Sequence, residues 1–212
     1  MTCGVAINPQ SGKVRHWPWS MLGMTMASLG GRQPGPFRGG ASRYFQWHDM
    51  IRVLFVCMGN ICRSPMAQGV LEHRLYEEQL DDRVAVDSAG TYHYHTGEPP
   101  DRRGVSAARQ RGIDIGNQRA RPVRDDDFMN FDLILAMDSD NERKLRAVCP
   151  PFYADRVRLV MEFAPELRER EVPDPYYVGE EGFDKVLDML ELCMEGLMDE
   201  LHDLLDQRGA TA

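Results

Sequence analysis

An unbroken apolar run at residues 53–56 is separated from a helix-start signal by only a short loop, and this succession constrains the fold more than any other segment. Apolar runs without alternation are typical of strands that are buried on both faces of a parallel sheet. Ser64 is a favoured helix-capping residue, and Pro65 suits the first helical position because its missing N–H needs no partner there. The sequence therefore predicts a buried strand, a tight loop and a helix in direct succession.

The loop between these two elements contains residue types that bind a tetrahedral oxyanion. Cys57 ends the apolar strand, Gly59 and Asn60 follow, and Arg63 precedes the predicted helix. Loop N–H groups in front of a helix can converge on phosphate, and the planar charged fork of arginine can bind two of its oxygens. The same positive surroundings are expected to hold Cys57 as a nucleophilic thiolate. The sequence thus predicts a nucleophile beneath a bound phosphate.

Strand and helix signals alternate along the rest of the chain. The predicted strands cover residues 53–56, 84–87, 131–137 and 157–160, and the predicted helices cover residues 65–79, 101–112, 139–148 and 183–206. Such alternation predicts an α/β fold with three layers, in which a four-stranded parallel sheet carries helices on both faces. Sheets of this kind bind ligands at the carboxyl ends of their strands, which is where Cys57 falls.

The first 49 residues differ in composition from the remainder. Residues 1–50 contain five basic residues and one acidic residue, a net charge of +4, so the remainder must carry −12 to give the total of −8. Because residues 1–49 show no sustained period and include a glycine-rich run, we predict an unstructured extension, with an organellar leader as the alternative. Residues 50–212 are predicted to form the folded domain, whose acidic character disfavours nucleic acid as a partner.

Cysteine content and hydropathy limit the cellular locations that the sequence predicts. The chain has five cysteines, an odd number without metal-ligand spacing, which indicates a reducing compartment rather than a disulfide framework or a metal site. The sequence has no run of the roughly 18 or more apolar residues that a bilayer span requires, so no membrane association is predicted. We expect a cytoplasmic protein, with secretion or organellar targeting left open.

The ten residues from Val56 to Pro65 resemble the signature of the low-molecular-weight protein tyrosine phosphatases, valine-cysteine-x-glycine-asparagine-x-cysteine-arginine-serine-proline. The resemblance covers about residues 52–206 and includes an aspartate-proline-tyrosine loop at residues 174–176. It implies a flavodoxin-like topology and hydrolysis of protein tyrosine phosphate through a phosphocysteine intermediate, without metal or cofactor. Cys57 is then the nucleophile, Arg63 clamps the phosphate, and Asp174 is the general acid and later the base.

Further residues receive roles from the same resemblance. Ser64 is expected to hydrogen-bond the Cys57 thiolate, and Asn60 to hold the loop shape through neighbours such as Ser88. Asp138 and Asn141 are expected to serve loop structure. The implied phosphate-binding loop comprises Met58, Gly59, Asn60, Ile61, Cys62 and Ser64, and the implied substrate slot is walled by Tyr94, Tyr176 and Tyr177. The partner is expected to be a phosphotyrosine-containing protein, and the enzyme a monomer.

Two further positions, Gln118 and Cys62, bear on the hydrogen bonding and the redox behaviour of the loop. Gln118 stands where many relatives have histidine in a histidine-x-alanine-arginine motif, which leaves the hydrogen bonding behind the loop open. Cys62 lies five residues from Cys57 in the same loop, so we predict that peroxide reversibly joins the two sulfurs and thereby protects Cys57 from further oxidation.

Three other functions compete with tyrosine phosphate hydrolysis. A thioredoxin-coupled arsenate reductase would need two nearby relay cysteines, whereas Cys149 and Cys193 are 44 positions apart. A phosphoarginine phosphatase of the same family tends to have threonine at the position of Ile61, and the bulkier apolar side chain favours tyrosine phosphate. A phosphate-binding module without turnover would need neither a thiolate nor an acid.

Overall fold

The computed structural model describes residues 50–210 together with two short strands, β1 (Ala6–Ile7) and β2 (Val14–Arg15), which pair antiparallel. The prediction that residues 1–49 are an unstructured extension lies, apart from these two strands, outside the described residues. Within the described part of the chain, no helix combines the length and the apolar character needed to cross a bilayer.

Four parallel strands form the central sheet. In chain order these are β3 (Ile51–Cys57), β4 (Val84–Gly90), β5 (Leu133–Ala136) and β6 (Val157–Leu159). They lie side by side in the order β4-β3-β5-β6, and every neighbouring pair is parallel. The predicted four-stranded parallel sheet is therefore confirmed, and the strand that leads to Cys57 lies inside it.

Helices cover both faces of this sheet. They are α1 (Arg63–Glu77), α2 (Arg102–Gln110), α3 (Asp127–Asn130), α4 (Ser139–Val148) and α5 (Glu180–Ala210), with 3-10 helices at Pro151–Arg156 and Val160–Phe163. Val53 and Phe55 of β3 belong to the apolar cluster formed with α1, α2 and α5, whereas Leu54 and Val56 belong to the cluster on the other face, with α3 and α4. This is the predicted three-layer α/β fold.

The start of α1 differs from the sequence prediction. The helix begins at Arg63, with Cys62 in the capping position and without a side-chain capping hydrogen bond. Ser64 therefore lies inside the first turn, and the prediction of Ser64 as cap with Pro65 at the first helical position is wrong. The physical reason is that the Ser64 hydroxyl is buried against Cys57 and the Ala89 carbonyl, so it cannot cap its own helix. Pro65 still falls in the first turn, where backbone N–H groups have no intrahelical acceptor.

Close helix packing against the sheet requires one particular glycine. A Cβ added at Gly196 of α5 would lie 2.2 Å from the carbonyl oxygen of Phe163. That oxygen belongs to the 3-10 helix that follows β6, so backbone rather than a movable side chain would have to shift. Gly196 therefore sets how closely α5 approaches this segment.

Replacing Gly196 with alanine is expected to lower the free energy of unfolding by about 1–3 kcal/mol, because overpacking outweighs the better helix propensity of alanine. Urea denaturation measures this change. Gly209→Ala is the matched control in the same helix, since an added Cβ there meets no described atom within 4 Å. Equal stability of the two variants would contradict the packing argument.

Candidate active site

A short loop at the carboxyl end of β3 surrounds the sulfur of Cys57. Its Sγ lies 3.1 Å from the Ser64 hydroxyl oxygen and accepts the backbone N–H of Asn60 at 3.3 Å. The cysteine is almost fully buried. The sulfur is therefore held between the backbone N–H of Asn60 and the Ser64 hydroxyl.

Asn60 fixes the shape of this loop. Its φ of 57° lies in the left-handed region, which asparagine tolerates better than most residues. The side-chain amide donates to the hydroxyls of Ser64 and Ser88, each at 2.9 Å, and its oxygen accepts the N–H of Arg121 at 2.9 Å. The expected contact between Asn60 and Ser88 is therefore present, and the buried amide is satisfied on both sides.

The hydrogen bonds behind the loop continue through a residue that sequence reasoning missed. Ser88 donates to Gln68 at 2.7 Å, and Gln68 donates to Glu72 at 2.9 Å. Gln68 lies four residues after Ser64 on α1, so helical spacing places the two on one face and could have identified it. Gln118 takes no part, because neither its side-chain nitrogen nor its oxygen has a partner in the described structure.

Arg63 lies between the loop and two carboxylates. It is 4% exposed, and its guanidinium contacts Asp138 at 2.5 Å, the Val172 carbonyl at 3.0 Å and Asp174 at 3.5 Å. Burial lowers the pKa of the guanidinium, but the nearby Cys57 and the hydrogen bond to Asp138 raise it, and the net pKa lies above the ordinary value. Arg63 is thus a permanent positive charge next to the sulfur.

Asp138 has two contacts that fix Arg63 relative to α4. One carboxylate oxygen pairs with Arg63, and the other caps the helix by accepting the N–H of Asn141 at 2.7 Å. Asp138 therefore links the Arg63 guanidinium to the first turn of α4. Asn141 is buried beside it, and its side-chain oxygen has no partner in the described part of the chain.

Asp174 lies next to the Arg63 guanidinium, on a different segment of the chain. It lies between Pro173 and Pro175 in the irregular segment before α5, and its side chain is 41% exposed. One carboxylate oxygen accepts the N–H of Tyr176 at 3.1 Å, and the other faces Arg63. The following rings, Tyr176 and Tyr177, are edge-to-face with centroids 5.0 Å apart.

These side chains enclose one cavity of about 210 Å³. Its lining brings together most of the predicted site, namely Cys57, Met58, Gly59, Ile61, Cys62, Arg63, Asp174, Tyr176 and Tyr177, with His95 in addition. Asn60 and Ser64, which are also part of the predicted loop, do not line this cavity.

The predicted slot residue Tyr94 does not line this cavity, whereas its neighbour His95 does. Tyr94 is 74% exposed, stacks on His93 with centroids 5.1 Å apart, and is absent from the cavity lining. His95, one position further, does line the cavity, and it pairs with Glu98 at 2.7 Å. The slot role of Tyr94 stays a prediction, and His95 is the lining residue that sequence reasoning did not select.

Cys62 lines the same cavity as a second thiol. Cys57 and Cys62 are both free in this structure. Burial, together with the neighbouring Cys57, raises the pKa of Cys62 to about 12, so this thiol is neutral at ordinary pH. The disulfide between them stays a prediction.

Comparisons with known proteins agree with this geometry. Residues 52–207 match the family model described as low molecular weight phosphotyrosine protein phosphatase. The chain is 38% identical over 162 residues to a low molecular weight protein-tyrosine-phosphatase of Streptomyces coelicolor, covering 75% of this chain and 98% of that one. It is 34% identical over 152 residues to the human low molecular weight phosphotyrosine protein phosphatase, covering 71% and 95%.

A solved structure gives the same result for the fold. A protein tyrosine phosphatase from Entamoeba histolytica, crystallised with Hepes in its active site, superimposes with a TM-score of 0.70 at 41% identity, covering 72% of this chain and 97% of that one. The predicted fold and enzyme class are confirmed, and the chain belongs to the low molecular weight phosphotyrosine protein phosphatase family.

Proposed function

We propose that this protein hydrolyses tyrosine phosphate on proteins in two steps, with Cys57 as nucleophile, Arg63 as phosphate clamp and Asp174 as general acid and base. In the first step Cys57 sulfur bonds to phosphorus, the bond from phosphorus to the phenolic oxygen breaks, and Asp174 donates its proton to that oxygen. In the second step water attacks phosphorus, Asp174 accepts the water proton, and the thiolate leaves as inorganic phosphate forms.

The observation that carries this proposal is the meeting of three side chains around one cavity. The sulfur of Cys57, the guanidinium of Arg63 and the carboxylate of Asp174 all line the same 210 Å³ space. A phosphoryl group above the sulfur would have a fixed positive charge beside its oxygens and a carboxyl group on the side where the leaving oxygen departs. Positioning and charge stabilisation of this kind account for most of the catalysis in phosphoryl transfer.

The lining also supports a phenyl rather than a guanidinium leaving group. Tyr176 and Tyr177 offer ring surfaces on one side, and Ile61 contributes an apolar surface at the loop. A flat aromatic ring gains from contact with such groups, whereas phosphoarginine would bring a charged, hydrogen-bonding group into the same space. Protein tyrosine phosphate is therefore the substrate class that fits best.

Arsenate reduction through a cysteine relay fits the structure less well. Cys193 is fully buried in the cluster of α1, α2 and α5, where its sulfur contacts Met161. Cys149 packs on the cluster of the other sheet face. Since the sheet separates these two thiols, they cannot pass a disulfide directly from one to the other.

Two substitutions test the proposed roles. Cys57→Ser is expected to abolish hydrolysis of p-nitrophenyl phosphate, because a serine hydroxyl is not ionised in this site. Asp174→Asn is expected to lower kcat/KM for phenyl phosphate by about 10²–10⁴-fold, the usual contribution of a general acid. Steady-state phosphate release measures both. Cys149→Ser and Asp155→Asn are the matched controls; activity retained in Cys57→Ser would exclude the cysteine mechanism.

Asn60→Gly tests whether the loop shape supports catalysis. Glycine adopts a positive φ freely, so the change removes the three side-chain hydrogen bonds without adding backbone strain. We expect kcat/KM to fall by about 10-fold or more, and the free energy of unfolding to fall by about 1–3 kcal/mol because the partner groups stay buried. Phosphatase assays and urea denaturation measure the two changes.

The control for that variant is Gln79→Gly, at the second non-glycine residue with a positive φ among the residues that the structure describes, 59°. Gln79 is exposed after α1 and far in sequence from the loop, so its replacement should leave kcat/KM unchanged. If Asn60→Gly were as active as Gln79→Gly, the Asn60 side chain would have no part in shaping the site.

A further inference from the structure

We infer that Arg103 is a positioning residue, which holds the loop that carries Asp174 at the distance from the phosphate-binding loop that proton transfer requires. This inference rests on the proposed role of Asp174 as general acid. Arg103 lies in the first turn of α2, and it does not line the catalytic cavity.

One end of this connection is the loop of the general acid. Arg103 donates to the carbonyl oxygen of Tyr176 at 2.9 Å, and its guanidinium carbon lies 5.3 Å from the Tyr176 ring centroid. Tyr176 in turn donates its N–H to the Asp174 carboxylate at 3.1 Å. A shift of the Tyr176 backbone would therefore displace the Asp174 carboxylate.

The other end is the phosphate-binding loop. The Arg103 guanidinium donates two hydrogen bonds to the Asp101 carboxylate, at 3.0 Å and 2.7 Å. The backbone N–H of Asp101 donates to the Ile61 carbonyl at 2.8 Å. The path from Ile61 through Asp101 and Arg103 to Tyr176 thus joins the two halves of the site with short polar contacts.

The loop that carries Asp174 is anchored before it at Val172, whose N–H donates to the Met137 carbonyl at 2.8 Å and whose carbonyl accepts from Arg63 at 3.0 Å, but it has few attachments beyond that residue. For residues 173–177, the described structure shows two hydrogen bonds to other elements: the long contact of Asp174 with Arg63, at 3.5 Å, and the bond of Tyr176 with Arg103. Arg63 would also have to serve the phosphate, so its contact with Asp174 competes with substrate. Arg103 does not line the cavity, so its contact with Tyr176 does not compete with substrate. Its guanidinium carbon also lies 4.7 Å from the ring centroid of Phe183, at the start of α5.

A purely local role for Arg103 makes a different prediction. Its hydrogen bonds to Asp101 hold the pKa of that carboxyl below its ordinary value, and Asp101 caps α2. If this were all, loss of Arg103 would weaken the helix and slow every substrate alike. A positioning role instead slows substrates in proportion to their need for a proton.

The test compares leaving groups. In Arg103→Met, kcat/KM for phenyl phosphate, whose leaving oxygen needs protonation, is expected to fall about 10-fold or more, because small displacements of a catalytic group are costly. For 2,4-dinitrophenyl phosphate, which needs little protonation, the change should stay within about 2-fold. Arg103→Lys retains a donor for Tyr176 and should recover part of the loss. The neighbouring Arg102→Met is the matched control, since no described contact of its side chain links the two loops.

Each of the following outcomes would overturn the inference. Equal loss on both substrates in Arg103→Met would assign Arg103 to structure alone, and unchanged rates on both would remove any role; thermal unfolding of each variant verifies that folded protein is assayed. Asp174→Asn is measured on the same two substrates. If it showed no dependence on the leaving group, the acid assignment would fail and this inference with it. If Asp174→Asn showed the dependence and Arg103→Met did not, this inference alone would fail.

Discussion

The whole site depends on the loop from Cys57 to Arg63, which turns around one sulfur atom at the end of a buried strand. Asn60 adopts a left-handed conformation at the centre of this loop, and three side-chain hydrogen bonds hold it there. Because the loop starts at the end of β3 and stops at the first turn of α1, the sheet and the helix fix both of its ends. The fold thereby holds the Asn60 N–H and the Ser64 hydroxyl against the Cys57 sulfur.

A buried arginine makes this arrangement electrostatically demanding. Arg63 is a charge with little access to water, and such a group must be paired. In this structure Asp138 supplies the pairing at close range and Asp174 at longer range. An incoming phosphoryl group would offer further oxygens to the same guanidinium. In the proposed mechanism, phosphate binding and the position of Asp174 would therefore be coupled through Arg63, and the contact of Arg103 with Tyr176 would be a second restraint on the loop that carries Asp174.

The parts of the structure that follow from local pattern were predictable, and those that follow from distant contacts were not. The unbroken run at residues 53–56 predicts the central strand, and the succession after it of Cys57, Gly59, Asn60, Arg63, Ser64 and Pro65 predicts the loop. Ser64 misled because serine also serves inside a helix when its hydroxyl has a buried partner. The short helix α3 and the two 3-10 helices have too few residues for a period to show. The sequence did not indicate the contacts of Arg103, because its partners, Asp101 and Tyr176, are remote from each other along the chain.

The proposed mechanism requires the sulfur of Cys57 to bond to phosphorus during turnover, and trapping that species is the most direct test of this requirement. The enzyme would be mixed with phosphorus-labelled phenyl phosphate, denatured within milliseconds and digested, and the labelled peptide sequenced by mass spectrometry. We expect a phosphoryl group on Cys57, and none in the Cys57→Ser variant. Label on another residue, or phosphate release without any labelled protein, would contradict it.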